Sequence, residues 1–342
     1  MSLVSVIVPA RNEERNLEAV VRSLSEQESV REIIVVDDQS EDGTPTILER
    51  LGKEIPALRA VRIEALPQDW IGKNYALHIG ARAATGEWFL FTDADTRHQP
   101  GSLAAMLEQV KKENADLLSL SPGQEAATWW EKSVIPLVYV EAAKLYPYKE
   151  VSRPDSPEAA ANGQYILIRR EVYERVGGHG AIRNEVLEDV ALARRVKACG
   201  GRLTFLLGRP WVRTRMYQSF RDMWEGWSKN LYLLYRKSLG RLLAEVASLW
   251  LLDLVPLFGL LFSFDLRTRQ AREVWALACV SILAWRHLAY TQSLAKAQFS
   301  KRMAVYRLPG AAIYSCLLLN SARRYLWTEQ IQWKGRSYGV RS

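Results

Sequence analysis

Two short apolar runs near the start of the chain end directly in acidic residues, and helical patterns separate the strand-like runs. Residues 4–9 are apolar and largely β-branched, which predicts a buried strand. Residues 13–28 then place Leu17, Val20, Val21 and Leu24 on one helical face. The pattern repeats, with strands predicted over 32–37, 58–63 and 88–92 and helices over 42–51 and 73–84. Strands that alternate with helices in this way predict a doubly wound α/β sheet. Such sheets bind ligands beyond the carboxyl ends of their strands. Asp37 and Asp38 follow the second strand, and Asp93 and Asp95 follow the fourth, so these carboxylates are expected on the functional rim.

The texture changes near residue 240. Residues 246–264 form an apolar stretch of 19 with one acid and one proline, long enough to cross a bilayer. Residues 274–285 are apolar but stop at Arg286, and 311–319 are shorter still. Basic residues lie between and after these stretches: Arg267, Arg269 and Arg272, then Lys296, Lys301 and Arg302. The expected organisation is an α/β domain over 1–240 and a helical, membrane-attached region with a basic tail over 241–342. A length of 342 residues suits one large α/β domain with such an appendage.

Composition narrows the function classes. The net charge of +8 points to a negatively charged partner, and 12 tryptophans with 14 tyrosines favour a membrane interface. The basic residues are scattered without a nucleic-acid-binding module, so no nucleic acid partner is expected. Cys199, Cys279 and Cys316 lie far apart, as do His78, His98, His179 and His287, which argues against a disulfide scaffold or a zinc site. The first residues enter a strand without a basic, apolar leader pattern, so the amino-terminal domain is expected in the cytoplasm.

Chemistry concentrates at Asp93-Ala94-Asp95. Two carboxylates at a strand end suit a hard divalent cation, which bridges phosphate oxygens. The surrounding blocks extend this reading. VSVIVPARNEERNLEAVVRSL, IIVVDDQSEDGT, WIGKNYALHIGARAATGEWFLFTDAD and VLEDVALARRVKACGGRL together resemble family 2 glycosyltransferases with the GT-A fold, over about residues 3–207. TRMYQSFRDMWEGWSKN, the hydrophobic tail and the closing WKGRSYG resemble the membrane-bound branch that glycosylates lipids, such as the carotenoid and hopanoid glycosyltransferases.

The resemblance implies a doubly wound mixed GT-A sheet followed by membrane helices, and an inverting hexosyltransferase at the cytoplasmic membrane face. It implies a nucleotide diphosphate sugar donor, UDP-linked, a divalent cation (Mn²⁺ or Mg²⁺) and a lipid acceptor. By the same resemblance Ala10, Arg11, Glu13 and Asp38 line the nucleotide, with Asp38 on the uracil or ribose, and Lys73 sits close by. Asp93 contacts ribose or metal, Asp95 is the main metal ligand, and Asp189 is the catalytic base with Glu188 beside it. Helix capping alone also accounts for two acids at a helix start. Arg221 is a candidate diphosphate ligand, although the Gln-x-x-Arg-Trp of processive relatives is broken here because Asp222 follows Arg221. His98 and His179 are candidate third metal ligands, and residues 129–148 a candidate guide for a lipid, against core packing as the plainer account. The competing functions are transfer to a polyprenyl phosphate and a catalytically silent membrane scaffold.

Overall fold

The computed structural model describes residues 3–262, 268–328, 330–333 and 335–339. Packing divides the chain into two compact units, Met1–Glu125 with Tyr146–Met216, and Ala126–Leu145 with Tyr217–Ser342. This division differs from a boundary drawn at residue 240 on hydropathy. Helices before that point pack with the carboxyl-terminal ones.

The first unit begins with β1 (Val4–Ala10), α1 (Leu17–Ser25), β2 (Val30–Asp37), α2 (Thr44–Glu54), β3 (Leu58–Arg62) and α3 (Gly72–Ala83). It continues with β4 (Trp88–Phe91), β5 (Thr96–His98), α4 (Ser102–Glu113), β6 (Leu117–Ser121) and β7 (Gly123–Gln124). The chain then gives α5 (Trp129–Leu145) to the second unit. Next come α6 (Tyr148–Ser152), β8 (Ile166–Arg169), α7 (Arg170–Arg175), α8 (Glu188–Ala198), β9 (Leu203–Leu207) and β10 (Val212–Thr214).

Seven strands form one sheet in the order β3-β2-β1-β4-β8-β6-β9, and β5, β10 and β7 form a smaller one. Within the large sheet β8 runs antiparallel to both its neighbours, while the other pairs are parallel. This is the mixed, doubly wound GT-A arrangement. Both faces of β1 are covered, which is why it reads as a continuous apolar run. Val4, Val6 and Val8 join the cluster that holds Leu17, Val20, Val21 and Leu24 of α1. Ile7 points the other way, against Gly80 of α3, where a Cβ would collide with it.

At the amino ends of these strands one carboxylate fastens several segments. Glu32 of β2 is 7% exposed and accepts from Ser5 Oγ, Thr85 N, Thr85 Oγ1 and Arg59 Nη1, each at 2.7 Å. Burial alone would raise its pKa, but the bonds from Thr85, Ser5 and Arg59 outweigh it and hold the group at about 2.

The second unit contains α5, α9 (Phe220–Leu234), α10 (Leu239–Leu249), α11 (Val255–Leu261), α12 (Arg269–Lys296) and α13 (Arg307–Arg323). A hairpin of β11 (Gln330–Trp333) and β12 (Arg336–Gly339) follows. A π-helical turn, Trp250–Leu254, joins α10 to α11. Residues 311–319 fall in α13, whose Ala311, Tyr314, Leu317 and Leu318 are buried, so this stretch is an interior helix of the second unit. Gly310 lies so close to α5 that a Cβ would collide with the Ser133 carbonyl. Tyr232 N donates to Ser321 Oγ at 2.9 Å, and Asn320 Nδ2 to Ser228 Oγ at 2.8 Å, which ties α9 to α13. Residues 129–148 give α5, whose buried Val134, Ile135, Leu137 and Val138 make it chiefly a packing helix.

Two helices, Leu239–Leu261 and Arg269–Lys296, are long and apolar enough to cross a membrane. They correspond to the stretches predicted at 246–264 and 274–285, except that residues 263 and 264, like Arg267, lie outside the described residues.

Glu32 generates a test of acid stability. Its folded pKa is depressed, so its contribution is complete above the unfolded value of 4.5 and is lost as pH falls through about 2. The shift sets about 3 kcal/mol as the upper bound of that loss, because Arg59 is half exposed and solvent screens its share. Urea unfolding at a series of pH values should show a steep acid limb in the wild type and a shallower one in Glu32→Gln. Parallel limbs would remove Glu32 as the cause.

Candidate active site

The loops after β1 and β2 are built on each other. The two strands pair to their last residues, Ala10 with Asp37, and Asp38 N then donates to Ala10 O at 2.8 Å. Arg11 Nη1 donates to the carbonyls of Asp38 at 2.7 Å and Gln39 at 3.2 Å. Asn12 N donates to Ser40 Oγ, Glu41 N to Asn12 Oδ1 and Glu13 N to Thr44 Oγ1, all at 2.9 Å. Asn12 and Gln39 take positive φ of 54° and 56°, a region asparagine tolerates better than most side chains. Ala10, Arg11, Glu13 and Asp38 therefore share one end of the sheet, and the Arg11 guanidinium holds backbone in place.

The β4 end carries Asp93-Ala94-Asp95 in a tight turn. Thr96 Oγ1 donates to Asp93 O at 2.8 Å, and Thr92 Oγ1 donates to Gln164 O at 2.8 Å. His98 lies beneath, 3% exposed, with Nε2 3.2 Å from Thr92 Oγ1 and 3.3 Å from Thr96 Oγ1. Burial, helped by Arg97, pushes its pKa down to about 3. His179 is 1% exposed and bonded to Tyr173 Oη at 3.0 Å. Both histidines are packed within the fold as hydroxyl partners. Among the described residues no group of three His, Cys, Asp or Glu is arranged to hold a metal ion. Asp93 and Asp95 offer hard oxygen donors at one strand end. Such a pair fits a cation that draws its remaining ligands from substrate phosphates and water.

Lys73, in the first turn of α3, joins this end to a third segment. Its Nζ lies 2.8 Å from Asp93 Oδ1 and 2.7 Å from Glu188 Oε1. The α3 start is fastened to the stretch before α8. Ile71 N donates to Arg183 O at 2.9 Å. Asn74 Nδ2, in a fully buried side chain, reaches Ile182 O at 2.9 Å, Arg183 O at 3.2 Å and Glu185 O at 2.9 Å. Burial alone would lower the Lys73 pKa, but Asp93 and Glu188 reverse this and hold the ammonium well above its usual range. Asp93 is raised by burial, with Lys73 opposing and Glu188 and Glu13 adding.

Asp189 is the second residue of α8. Its Oδ1 accepts from Val190 N at 2.7 Å and its Oδ2 from Gly163 N at 2.9 Å. Burial, with Glu188 beside it, pushes its pKa up to about 7 against the opposing effects of Lys73 and the two amides. Gly163 reaches this rim because β8 is antiparallel. Phe91 pairs with Ile166, so the approach to β8 lies beside the exit from β4. A Cβ on Gly163 would stand 3.0 Å from both Lys73 Nζ and Glu188 Oε1.

The structure thus brings Lys73, Asp93, Glu188 and Asp189 together in the first unit. Arg221 belongs to the second unit, exposed in the first turn of α9. Gly163 and Asn74 were not singled out as site residues by the sequence. The Asn162-Gly163 pair reads as a plain turn before a strand, although the family resemblance puts an acceptor loop near it, and nothing in the spacing of Asn74 signals its three carbonyl partners. Chemically, the cluster offers a fixed cation between two carboxylates and a third carboxyl that exchanges its proton near neutrality.

The sequence profile described as Glycosyl transferase family 2 matches residues 5–177, more than half of the chain. The 4,4'-diaponeurosporenoate glycosyltransferase of Staphylococcus haemolyticus (strain JCSC1435) is 27% identical over 349 residues, covering 99% of this chain and 89% of that protein. The protein of the same name from Staphylococcus aureus (strain USA300) is 24% identical over 348 residues, covering 98% and 88%. The mannosyltransferase PcManGT from Pyrobaculum calidifontis, solved in complex with GDP-Man and Mn²⁺, shares the fold. Its TM-score is 0.54 at 21% identity, over 95% of this chain and 87% of that one.

Gly163→Ala should push the Lys73 and Glu188 side-chain ends aside and cost about 1 kcal/mol of stability, the low end of overpacking, because flexible side-chain tips are what give way. Gly52→Ala is the control, since a Cβ there meets nothing within 4 Å and a helix gains up to about 1 kcal/mol from the change. Urea unfolding of both variants checks the pair. Equal stability in the two would mean the loop yields freely at Gly163.

Proposed function

The chain belongs to glycosyl transferase family 2, and on that footing we propose that it is a membrane-associated, inverting hexosyltransferase. The donor is a UDP-linked sugar and the acceptor is a lipid. The names of the curated relatives support a carotenoid acid as that lipid. The two exposed apolar helices support attachment to a membrane, with the first unit on the cytoplasmic face where nucleotide sugars are made. The observation that carries the reading is the Lys73 bridge, which puts a donor-side carboxylate and an acceptor-side one on a single ammonium.

In this reading Ala10, Arg11, Glu13 and Asp38 line the nucleotide, and Arg11 keeps the loop of Asp38 in register. Asp95 and Asp93 would hold Mn²⁺ or Mg²⁺. When bound, such a cation offsets charge developing on the departing diphosphate. Lys73 supplies a fixed positive charge beside the same phosphates and keeps Glu188 from rotating away. Asp189 accepts the proton of a hydroxyl acceptor as its oxygen forms the new bond to C1 and the bond from C1 to the diphosphate breaks. A carotenoid acid arrives without that proton and needs no base. The raised pKa of Asp189 then helps differently, because a carboxyl partly neutral at pH 7 repels an acid less. A polyprenyl phosphate acceptor would behave like the acid.

Two substitutions test these assignments. Asp95→Ala should abolish Mn²⁺-dependent UDP binding in titration calorimetry while the fold survives, and UDP affinity indifferent to EDTA and to this change would refute the metal site. Asp189→Asn keeps the size of the side chain and should preserve nucleotide binding. Transfer to a lipid hydroxyl should fall by roughly 10²–10⁴, and transfer to a carotenoid acid far less. The base works only when ionised. With a hydroxyl acceptor, wild-type kcat/KM should therefore rise with pH to a plateau above about 7, and the variant should lack that limb. Near wild-type transfer to a hydroxyl by Asp189→Asn would leave helix capping as its role.

A further inference from the structure

We infer that the second unit crosses the bilayer twice, as an antiparallel hairpin of α10–α11 and α12, and returns the segment after α12 to the membrane face that holds the first unit's chain. This rests on the membrane attachment proposed above and fixes its topology.

The two helices that could cross are not core helices. Leu243, Trp250, Leu251, Val255, Phe258 and Phe262 are between 42% and 65% exposed and fall along one face of α10–α11. From Leu243 to Phe262 that face runs about 29 Å at 1.5 Å per residue, close to the ~30 Å of a hydrocarbon core. On α12 the outward residues Val274, Leu277, Val280, Trp285 and Leu288 are all more than half exposed. That second stripe runs about 21 Å, within a helix of 28 residues whose ~42 Å exceeds the hydrocarbon thickness, and lipid tails match the stripes on both helices.

The helices run antiparallel. Trp275 Nε1 donates to Gly259 O at 3.0 Å, and Arg286 meets Asp253 at 2.7 Å, so rising numbers on one helix face falling numbers on the other. The charges fit a membrane. Asp253 is 1% exposed and turned inward, paired with both Arg286 and Arg307 of α13 at 2.7 Å. An acid inside a span is tolerated when it faces protein and is paired. At the ends of the stripes the charges turn outward, with exposed Arg241 before the first and Arg269, bonded to Glu273, before the second. Water or headgroups at both ends accommodate them.

The third apolar stretch, residues 311–319, is too short to add a crossing, at about 14 Å. Residues 263–267 are too few to cross. An even number of crossings leaves both flanks on one side.

The test uses sealed vesicles of both orientations and a membrane-impermeant maleimide. In a chain with Cys199→Ser, Cys279→Ala and Cys316→Ser, single cysteines are placed by Lys111→Cys, Gln270→Cys and Lys301→Cys. The inference expects Lys111→Cys and Lys301→Cys to react from one face and Gln270→Cys from the other. A second measurement needs no substitution: trypsin added to the face opposite the first unit should cut the wild-type chain only near Arg269 and Arg272. If all three sites react from one face while the protein resists carbonate, the hairpin lies in the interface plane. The topology is then overturned and attachment stands. Release of the wild type by carbonate overturns both.

Discussion

A single ammonium organises the first unit's rim. Lys73 lies within 2.8 Å of Asp93 and 2.7 Å of Glu188, and those two carboxylates come from a strand end and a helix start far apart in sequence. Without that charge, Asp93, Glu188 and Asp189 would crowd one another across a poorly solvated cleft. The rest of the neighbourhood serves to put Lys73 there. Asn74 locks the first turn of α3 to the chain before α8, and Gly80 lets α3 settle against β1. Gly163 leaves room for the ammonium on the remaining side.

Much of this fold was legible in the sequence because parallel strands buried on both faces write themselves as apolar runs. The runs at 4–9, 32–37 and 88–92 match β1, β2 and β4 to within a residue or two. Acids just past such runs had to lie beyond the carboxyl ends of the strands, and Asp38, Asp93 and Asp95 do. Glu188 and Asp189 were legible only through resemblance, since two acids opening a helix are equally well explained by capping. The direction of β8 left no trace in hydropathy, and with it the position of Gly163 was hidden. Side chains that act by filling or vacating space, or by bonding backbone, as Gly163 and Asn74 do, carry no sequence pattern of their own.

In the helical unit the same limits appear in another form. Hydropathy ranked residues 311–319 as a weak membrane segment, yet α13 is the helix around which α5 and α9 pack. An apolar run states only that water is excluded, not whether protein or lipid excludes it. Exposure decides between them, and on that measure α10–α11 and α12 part company with α13. Asp253 and Arg286, which weaken the hydropathy of those two helices, instead join them to Arg307.

The two ends of the large sheet take up protons at widely separated acidities. At the amino ends Glu32 keeps its charge down to about pH 2. At the carboxyl ends Asp189 begins to lose its charge near pH 7, because burial and Glu188 disfavour the ionised form. Mild acidification therefore protonates Asp189 long before it reaches Glu32. Under the proposed mechanism a hydroxyl acceptor would lose its base over that interval while Glu32 still ties the amino ends together, and an acid acceptor would not.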